Sequence, residues 1–166
     1  ELKPTYKIRF IKEKKQLGTV GGLSLVKNKL NKSKENIFVT NCDVLHNFNY
    51  YDFYKHHLKN KLDVTMVVST KNFKIPYGVC EINRTGHLKK MREKPEQNFL
   101  VNTGFYLIKK KVLNLIPLNK FFDLTDFINI SKKKGYKIGV YPIDGNNWKD
   151  IGQIENYFQS LIDEEK

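Results

Sequence analysis

Residues Asn36–Leu45 read NIFVTNCDVL, and the placement of this stretch decides the fold. Ile37, Phe38 and Val39 are consecutive apolar residues; polar Thr40 and Asn41 follow, then Cys42 and Asp43, then Val44-Leu45. An apolar run without alternation fits a strand buried on both faces, as in a parallel sheet. If the strand ends at Asp43, its carboxylate stands at the carboxyl edge of the sheet, where open α/β folds bind ligands. An Asp in that place equally suits the cap of a following helix. The stretch alone leaves both roles open.

On the N-terminal side, Tyr6–Ile11 (YKIRFI) alternates and predicts a strand. Beyond it, Val20, Leu23, Leu25, Val26 and Leu30 recur at helical spacing, so a loop turns into a helix near Gly18-Thr19. Glycines at 18, 21 and 22 would admit a flat ligand or a phosphate close to the backbone, or let the helix pack tightly. On the C-terminal side, Tyr50–Asn60 reads as a helix with Phe53, Tyr54, His57 and Leu58 facing inward. His56 and His57 have no second ligand cluster and read as structural rather than metal-binding. Leu62–Ser69 (LDVTMVVS) is a further buried strand. Strands alternating with helices imply right-handed crossovers and a mostly parallel sheet with helices on both faces.

The middle of the chain differs. Tyr77–Asn83, His87–Glu93 and Phe99–Ile108 read as strands, with a hairpin turn at Arg84-Thr85-Gly86. They predict a β-rich insertion at the sheet's edge. Next come a short helix over Val112–Ile116 stopped by Pro117, and a helix over Asp123–Lys133. Asp123 or Thr125 would cap the second helix and Gly135 would end it. Tyr136–Tyr141 predicts a strand, Trp148–Gly152 a short strand closing on a turn, and Ile154–Ile162 a last helix.

Composition narrows the class. The 166 residues allow one domain with a genuine core. No apolar run approaches the roughly 20 residues that span a bilayer, and no signal peptide opens the chain. The first residues, ELKPTYKIRF, lack Met and suggest a fragment or a processed chain. The net charge of +13 raises nucleic acid as a partner, but the lysines are spread through every segment and read as a solvated surface. Neither nucleic acid nor a membrane is therefore an expected partner. Cys42 and Cys80 form no CxxC and fit reduced thiols in a cytoplasmic protein.

Taken in order, several stretches resemble the sugar-1-phosphate nucleotidylyltransferases, or NDP-sugar pyrophosphorylases. They are Leu17–Leu23 (LGTVGGL), Val39–Asp43 (VTNCD), Tyr77–Val79 (YGV), Arg92–Pro95 (REKP), Val101–Ile108 (VNTGFYLI), Asp123–Ile128 (DLTDFI) and Trp148–Gly152 (WKDIG). The resemblance covers nearly the whole chain. It implies a Rossmann-like nucleotide-diphospho-sugar transferase fold with a β-rich sugar-binding insertion. It also implies transfer of a nucleoside monophosphate from an NTP to a sugar 1-phosphate, with release of pyrophosphate. The family reaction is direct in-line attack on the α-phosphorus, helped by Mg2+ and by positioning.

By the same resemblance, Asp43 and Asp150 hold the metal and Lys94 contacts the sugar phosphate. Glu93, Gly78, Asn102 and Gly104 face the sugar, with Glu93 on the far side of its strand unless that strand is irregular. Gly18 meets the base through its backbone, and Asn41 lies near the nucleotide. Magnesium suits such a set, since it takes one or two carboxylates plus phosphate oxygens and water. The pattern is similar to a bacterial branch in which the domain often follows paired regulatory modules of the cystathionine-β-synthase type. Homo-oligomers are common in the family, though no assembly signature stands in these residues.

Two departures qualify the implication. Nothing here matches the family's G-x-G-T-R loop, so the chain reads as N-terminally truncated by about 60 to 70 residues, and as inactive alone. Cys42 also replaces the family's usual Gly beside Asp43. The branch tilts base choice toward GTP, with UTP or dTTP next. The alternative functions are a non-catalytic relative that binds nucleotide-sugars and regulates a partner, and a basic nucleic-acid-binding domain.

Overall fold

The computed structural model describes residues 6–30 and 35–152. The elements, in order, are α1 (Gly18–Gly21), α2 (Leu23–Val26), β1 (Asn36–Thr40), β2 (Val44–His46), α3 (Tyr50–Lys59), β3 (Val64–Lys74), β4 (Val79–Ile82), β5 (Leu88–Arg92), β6 (Glu96–Lys109), α4 (Leu124–Lys133), β7 (Ile138–Ile143) and β8 (Trp148–Asp150). Short 3-10 turns cover Lys27–Lys29, Lys110–Leu115 and Gly145–Asn147. The helix predicted over Ile154–Ile162 lies outside the described residues.

Four strands form one sheet in the order β1-β6-β3-β7, while β2 pairs with β8 and β4 with β5. Strand directions follow from single backbone bonds. Lys110 N donates to Glu35 O and Asn41 N to Gly104 O, so β6 descends as β1 ascends. Lys109 N donates to Asp63 O, and Thr103 Oγ1 to Val67 O, which makes β6 antiparallel to β3 as well. Asp63 N and Val64 N both donate to Lys137 O, and Gly145 lies against Thr70 O, so β3 and β7 ascend together. Thus β1, β3 and β7 share one direction and β6 is threaded between them. The class is α/β and Rossmann-like, with a mixed sheet.

The chain divides into two compact units. The first comprises residues 1–39, 54–65 and 106–139. Its core is built from Leu17, Val20, Val64, Leu107, Leu113 and Phe127. The glycines of α1 are explained by packing within this unit: Val20 N and Gly21 N donate to Phe122 O, and a Cβ on Gly21 would meet Lys120 O at 2.7 Å. Thr19 and the start of α4 satisfy each other, since Thr19 N donates to Asp123 Oδ1 (3.3 Å) and Leu124 N to Thr19 Oγ1 (2.8 Å). Gly135, at φ +80°, ends α4 as expected.

The second unit comprises residues 40–53, 66–105 and 140–166, with Phe53, Val67, Val68, Phe105 and Ile143 buried. Rings of Phe48, Tyr50, Phe53, Phe105 and Tyr141 pack together with centroids 4.8–6.2 Å apart. Asn49 starts α3 by accepting from Tyr51 N and Asp52 N. The predicted hairpin is β4–β5, and its turn is tied by Asn83 Oδ1, which accepts from Thr85 N and His87 N.

Several local expectations change. Tyr6–Ile11 is not a strand: no ladder partner meets it among the described residues, and Tyr6 and Phe10 are 72% and 92% exposed. Alternation marks an amphipathic ribbon, but a strand needs a partner to bond. The strand of the opening stretch stops at Thr40, with Phe38 half exposed, so β1 is not buried on both faces. The strand that is buried on both faces is β3, where Val64, Thr65, Val67, Val68 and Ser69 are all enclosed. Leu58 faces outward at 47% exposure, leaving Phe53 and His57 as the buried residues of α3.

Candidate functional site

Residues 41–43 form a bend between β1 and β2, and β2 then runs antiparallel to β8 with Val44 opposite Asp150. This register carries Asp43, next to Val44, alongside Asp150. Ile151 N donates to the main-chain Asp43 O (2.9 Å) and ties the two segments together, while Gly152 N donates to Asp150 Oδ1 (3.0 Å) within its own turn. A Cβ on Gly152 would lie 2.9 Å from Asp43 Oδ2 and 3.2 Å from Asp150 Oδ1. Both carboxylates thus point at one small space that Gly152 leaves open, and these two oxygens are at most about 6 Å apart. Asp43 caps no helix; β2 follows it, and Asn49 caps α3.

The donor set suits a hard divalent cation. Two carboxylates over a hollow that a methyl group would fill leave coordination positions for phosphate oxygens and water. Among the described residues no group of three or more His, Cys, Asp or Glu could hold a metal ion.

Asn41, Asn102 and Gly104 form a second cluster in the same unit. Gly104 has φ +79°, and a Cβ there would meet Asn41 Nδ2 at 2.8 Å, so the position demands glycine. Asn41 N donates to Gly104 O (2.9 Å), and Gly104 N to Asn102 Oδ1 (3.3 Å). A third cluster joins Gly78, Glu93 and Lys94. The strand is irregular here: β5 ends at Arg92, and Lys94 takes φ +42°. That bend is held by Lys94 N donating to Tyr77 O and Ile75 N to Pro95 O. It brings the Glu93 carboxylate to Gly78, where a Cβ would lie 3.1 Å from Glu93 Oε2. A lysine in the left-handed region costs about 1 kcal/mol or more, and such strain concentrates at functional positions.

Gly18 belongs to the first unit, apart from these clusters in the division of the chain. Its φ of +76° and the proximity of Phe122 O, 2.9 Å from a would-be Cβ, account for the glycine there.

His46 is a residue of the site that pattern reading missed. Its Nε2 lies 3.3 Å from Thr103 Oγ1, and its ring meets Phe48 and Phe105 edge-on. Burial pushes the imidazole pKa down, against an opposing interaction with the Thr103 backbone. The partner is 57 positions away, and a lone His after an apolar pair gives no signal of it. The neighbouring pocket, about 220 Å3, is lined by Leu45–Asn47 and Asn146–Lys149 on the same β2–β8 pair.

Known proteins resemble this chain in sequence and in fold. The Nucleotidyl transferase family model matches residues 2–166. The probable mannose-1-phosphate guanylyltransferase 3 of Arabidopsis thaliana is 31% identical over 163 residues, 95% of this chain and 48% of its own. The mannose-1-phosphate guanyltransferase beta-B of Xenopus laevis is 31% identical over 156 residues, 90% of this chain and 42% of its own. Among solved structures, HddC from Yersinia pseudotuberculosis superposes with a TM-score of 0.66 at 22% identity, over 94% of this chain and 66% of its own. The same protein complexed with GMP-PN gives 0.64 at 21% identity, over 92% of this chain and 65% of its own. At such identities these structures share the fold. The chain spans about half the length, or somewhat less, of the curated relatives it matches.

Proposed function

Because this chain belongs to the nucleotidyl transferase family, we propose that the protein carrying it transfers a nucleoside monophosphate from an NTP to a sugar 1-phosphate, releasing pyrophosphate. The observation that carries the reading is the convergence of Asp43 and Asp150 on the hollow at Gly152. Under it, the two carboxylates hold Mg2+, which when bound supplies charge neutralisation at the reacting phosphates. GTP is the proposed donor and mannose 1-phosphate the proposed acceptor, supported by the names of the curated relatives.

The chain's own residues then do the positioning. Lys94, a compact point charge, takes the sugar phosphate. Glu93, beside Gly78, accepts from sugar hydroxyls, and the bend at Lys94 turns both side chains out of strand alternation. Asn102 and Gly104 meet the sugar, Asn41 the nucleotide, and the Gly18 backbone the base. No side chain need act as a nucleophile, since the sugar phosphate oxygen attacks the α-phosphorus directly. The remaining triphosphate contacts are assigned to residues outside this chain, so these 166 residues alone should not turn over. A cytoplasmic location and a role in glycan precursor synthesis complete the reading.

The test is pyrophosphate release by the full-length protein, with a panel of NTPs crossed against hexose and hexosamine 1-phosphates. Release should require both substrates and Mg2+, and be fastest with GTP and mannose 1-phosphate. A folded full-length protein that turns over no pair contradicts the proposal.

A further inference from the structure

The Asp43–Asp150 pair is joined to the rest of its unit by contacts that the chemistry does not itself use. Residues 41–46 are tied to β6 at two points on either side of Asp43. On one side, Asn41 N donates to Gly104 O (2.9 Å). On the other, His46 Nε2 lies 3.3 Å from Thr103 Oγ1. Thr103 sits between Asn102 and Gly104, while His46 is on the strand whose Val44 pairs with Asp150.

The hydrogen count fixes how the second tie works. Thr103 Oγ1 is also 3.0 Å from Val67 O, in a buried bond. A carbonyl only accepts, so the one hydroxyl hydrogen goes to Val67. The threonine oxygen can then meet His46 only as an acceptor, and Nε2 must carry a hydrogen. Phe48 and Phe105, themselves in contact, both pack against the ring, with centroids at 5.7 and 5.1 Å and interplanar angles of 89° and 66°. The imidazole is therefore fixed in orientation as well as in tautomer.

We infer that His46 is a positioning residue for the metal cradle: its Nε2–H, donated to Thr103, holds β2 and the Asp43–Asp150 pair in register with the Asn102–Gly104 segment. This inference rests on the reading of the two aspartates as metal ligands. It predicts that a group touching neither metal nor substrate sets metal affinity, through a bond whose loss leaves the ligands themselves intact.

The experiment is Mn2+ binding to the full-length protein in the presence of GTP, read from the electron paramagnetic resonance of free Mn2+, which needs no turnover. His46→Phe keeps a ring without the donor, and Thr103→Val keeps the shape without the acceptor. Each should raise the Mn2+ dissociation constant about fivefold, less than the 10–100-fold typical when a partner bonded directly to a ligand is lost. Thr103→Val also loses the bond to Val67 O, so the double variant should be no weaker than Thr103→Val alone, in which the bond to His46 is already gone. His46→Gln, with an amide donor that can reach the same oxygen, should return to within about twofold of the parent. Where circular dichroism shows one variant unfolded, the other and His46→Gln carry the test. Parental affinity in His46→Phe and Thr103→Val, with binding lost in Asp150→Asn, overturns the inference and leaves the metal cradle standing. Additive losses in the double variant overturn it as well. Undiminished binding in Asp150→Asn removes the cradle itself, and this inference with it.

Discussion

Gly152 and Gly104 each hold open a space that a neighbouring polar side chain borders, so each reports on the site through the smallest possible change. Gly152→Ala would bring a methyl carbon to 2.9 Å from Asp43 Oδ2 and 3.2 Å from Asp150 Oδ1, and the carboxylates would have to pivot apart. The expected result is about a tenfold rise in the Mg2+ concentration for half-maximal rate, the scale of a lost outer contact to a metal site. Stability should change by less than about 0.5 kcal/mol, because the position is exposed. Kinetics across a Mg2+ series and denaturant melts check the two halves. Gly104→Ala is different, since φ +79° strains any side chain whatever the space, and the Cβ also meets Asn41. A loss of about 1–2 kcal/mol in urea unfolding, with a raised KM for the substrates, is expected. At this scale Asp43 and Asp150 were legible in the sequence through motif resemblance. Lys94's left-handed backbone was not, because nothing in an REKP string fixes a dihedral angle.

Among the elements, the entry to β3 and α3 carry two buried titratable groups, Asp63 and His57, that the chemistry does not use, and both make stability depend on pH. Burial alone would raise the Asp63 carboxyl, but the Lys137 N–H and the ammonium groups of Lys111 and Lys109 outweigh it and hold the pKa at about 2. A depressed carboxyl stabilises the fold above its unfolded value of 3.8 and loses that contribution as pH falls toward 2. The loss is about 2 kcal/mol across that window, and Asp63→Asn should flatten it in urea midpoints measured from pH 4 to pH 2. His57 is fully buried, bonds Thr65 Oγ1 through Nδ1 at 2.7 Å, and has no hydrogen-bond partner at Nε2 among the described residues. Burial, then Lys109, pushes its pKa below 6.5, so the neutral ring's contribution is complete above pH 6.5 and falls away as the solution is acidified. His57→Leu should melt at a temperature that varies less between pH 7.5 and pH 5 than the parent's does. The existence and order of the elements were largely readable from periodicity. Their pairing was less so: the antiparallel course of β6 and the absence of a ladder for Tyr6–Ile11 depend on partners that periodicity does not name. The extension of β3 to Lys74 was likewise hidden, because its last residues are exposed and polar.

For the molecule as a whole, two of the stretches that resemble the family supply the two carboxylates that border the hollow at Gly152. Asp43 and Asp150 lie 107 positions apart in the chain, yet the β2–β8 register brings them to one hollow. That register could not be read from either strand alone, since each has only three residues. No helix among the described residues is long and apolar enough to cross a membrane. The charge of +13 on these 166 residues favours capture of anionic phosphates at low ionic strength, so binding of a nucleoside triphosphate to this chain, measured by equilibrium titration, should weaken as salt rises. The central claim is that the two aspartates grip one divalent ion. Its most direct test is an anomalous difference map from crystals of the full-length protein grown with Mn2+ and GTP. A single strong peak about 2.0–2.3 Å from an oxygen of Asp43 and an oxygen of Asp150 is the result predicted. A fully occupied Mn2+ elsewhere, with the two carboxylates unliganded, would contradict it.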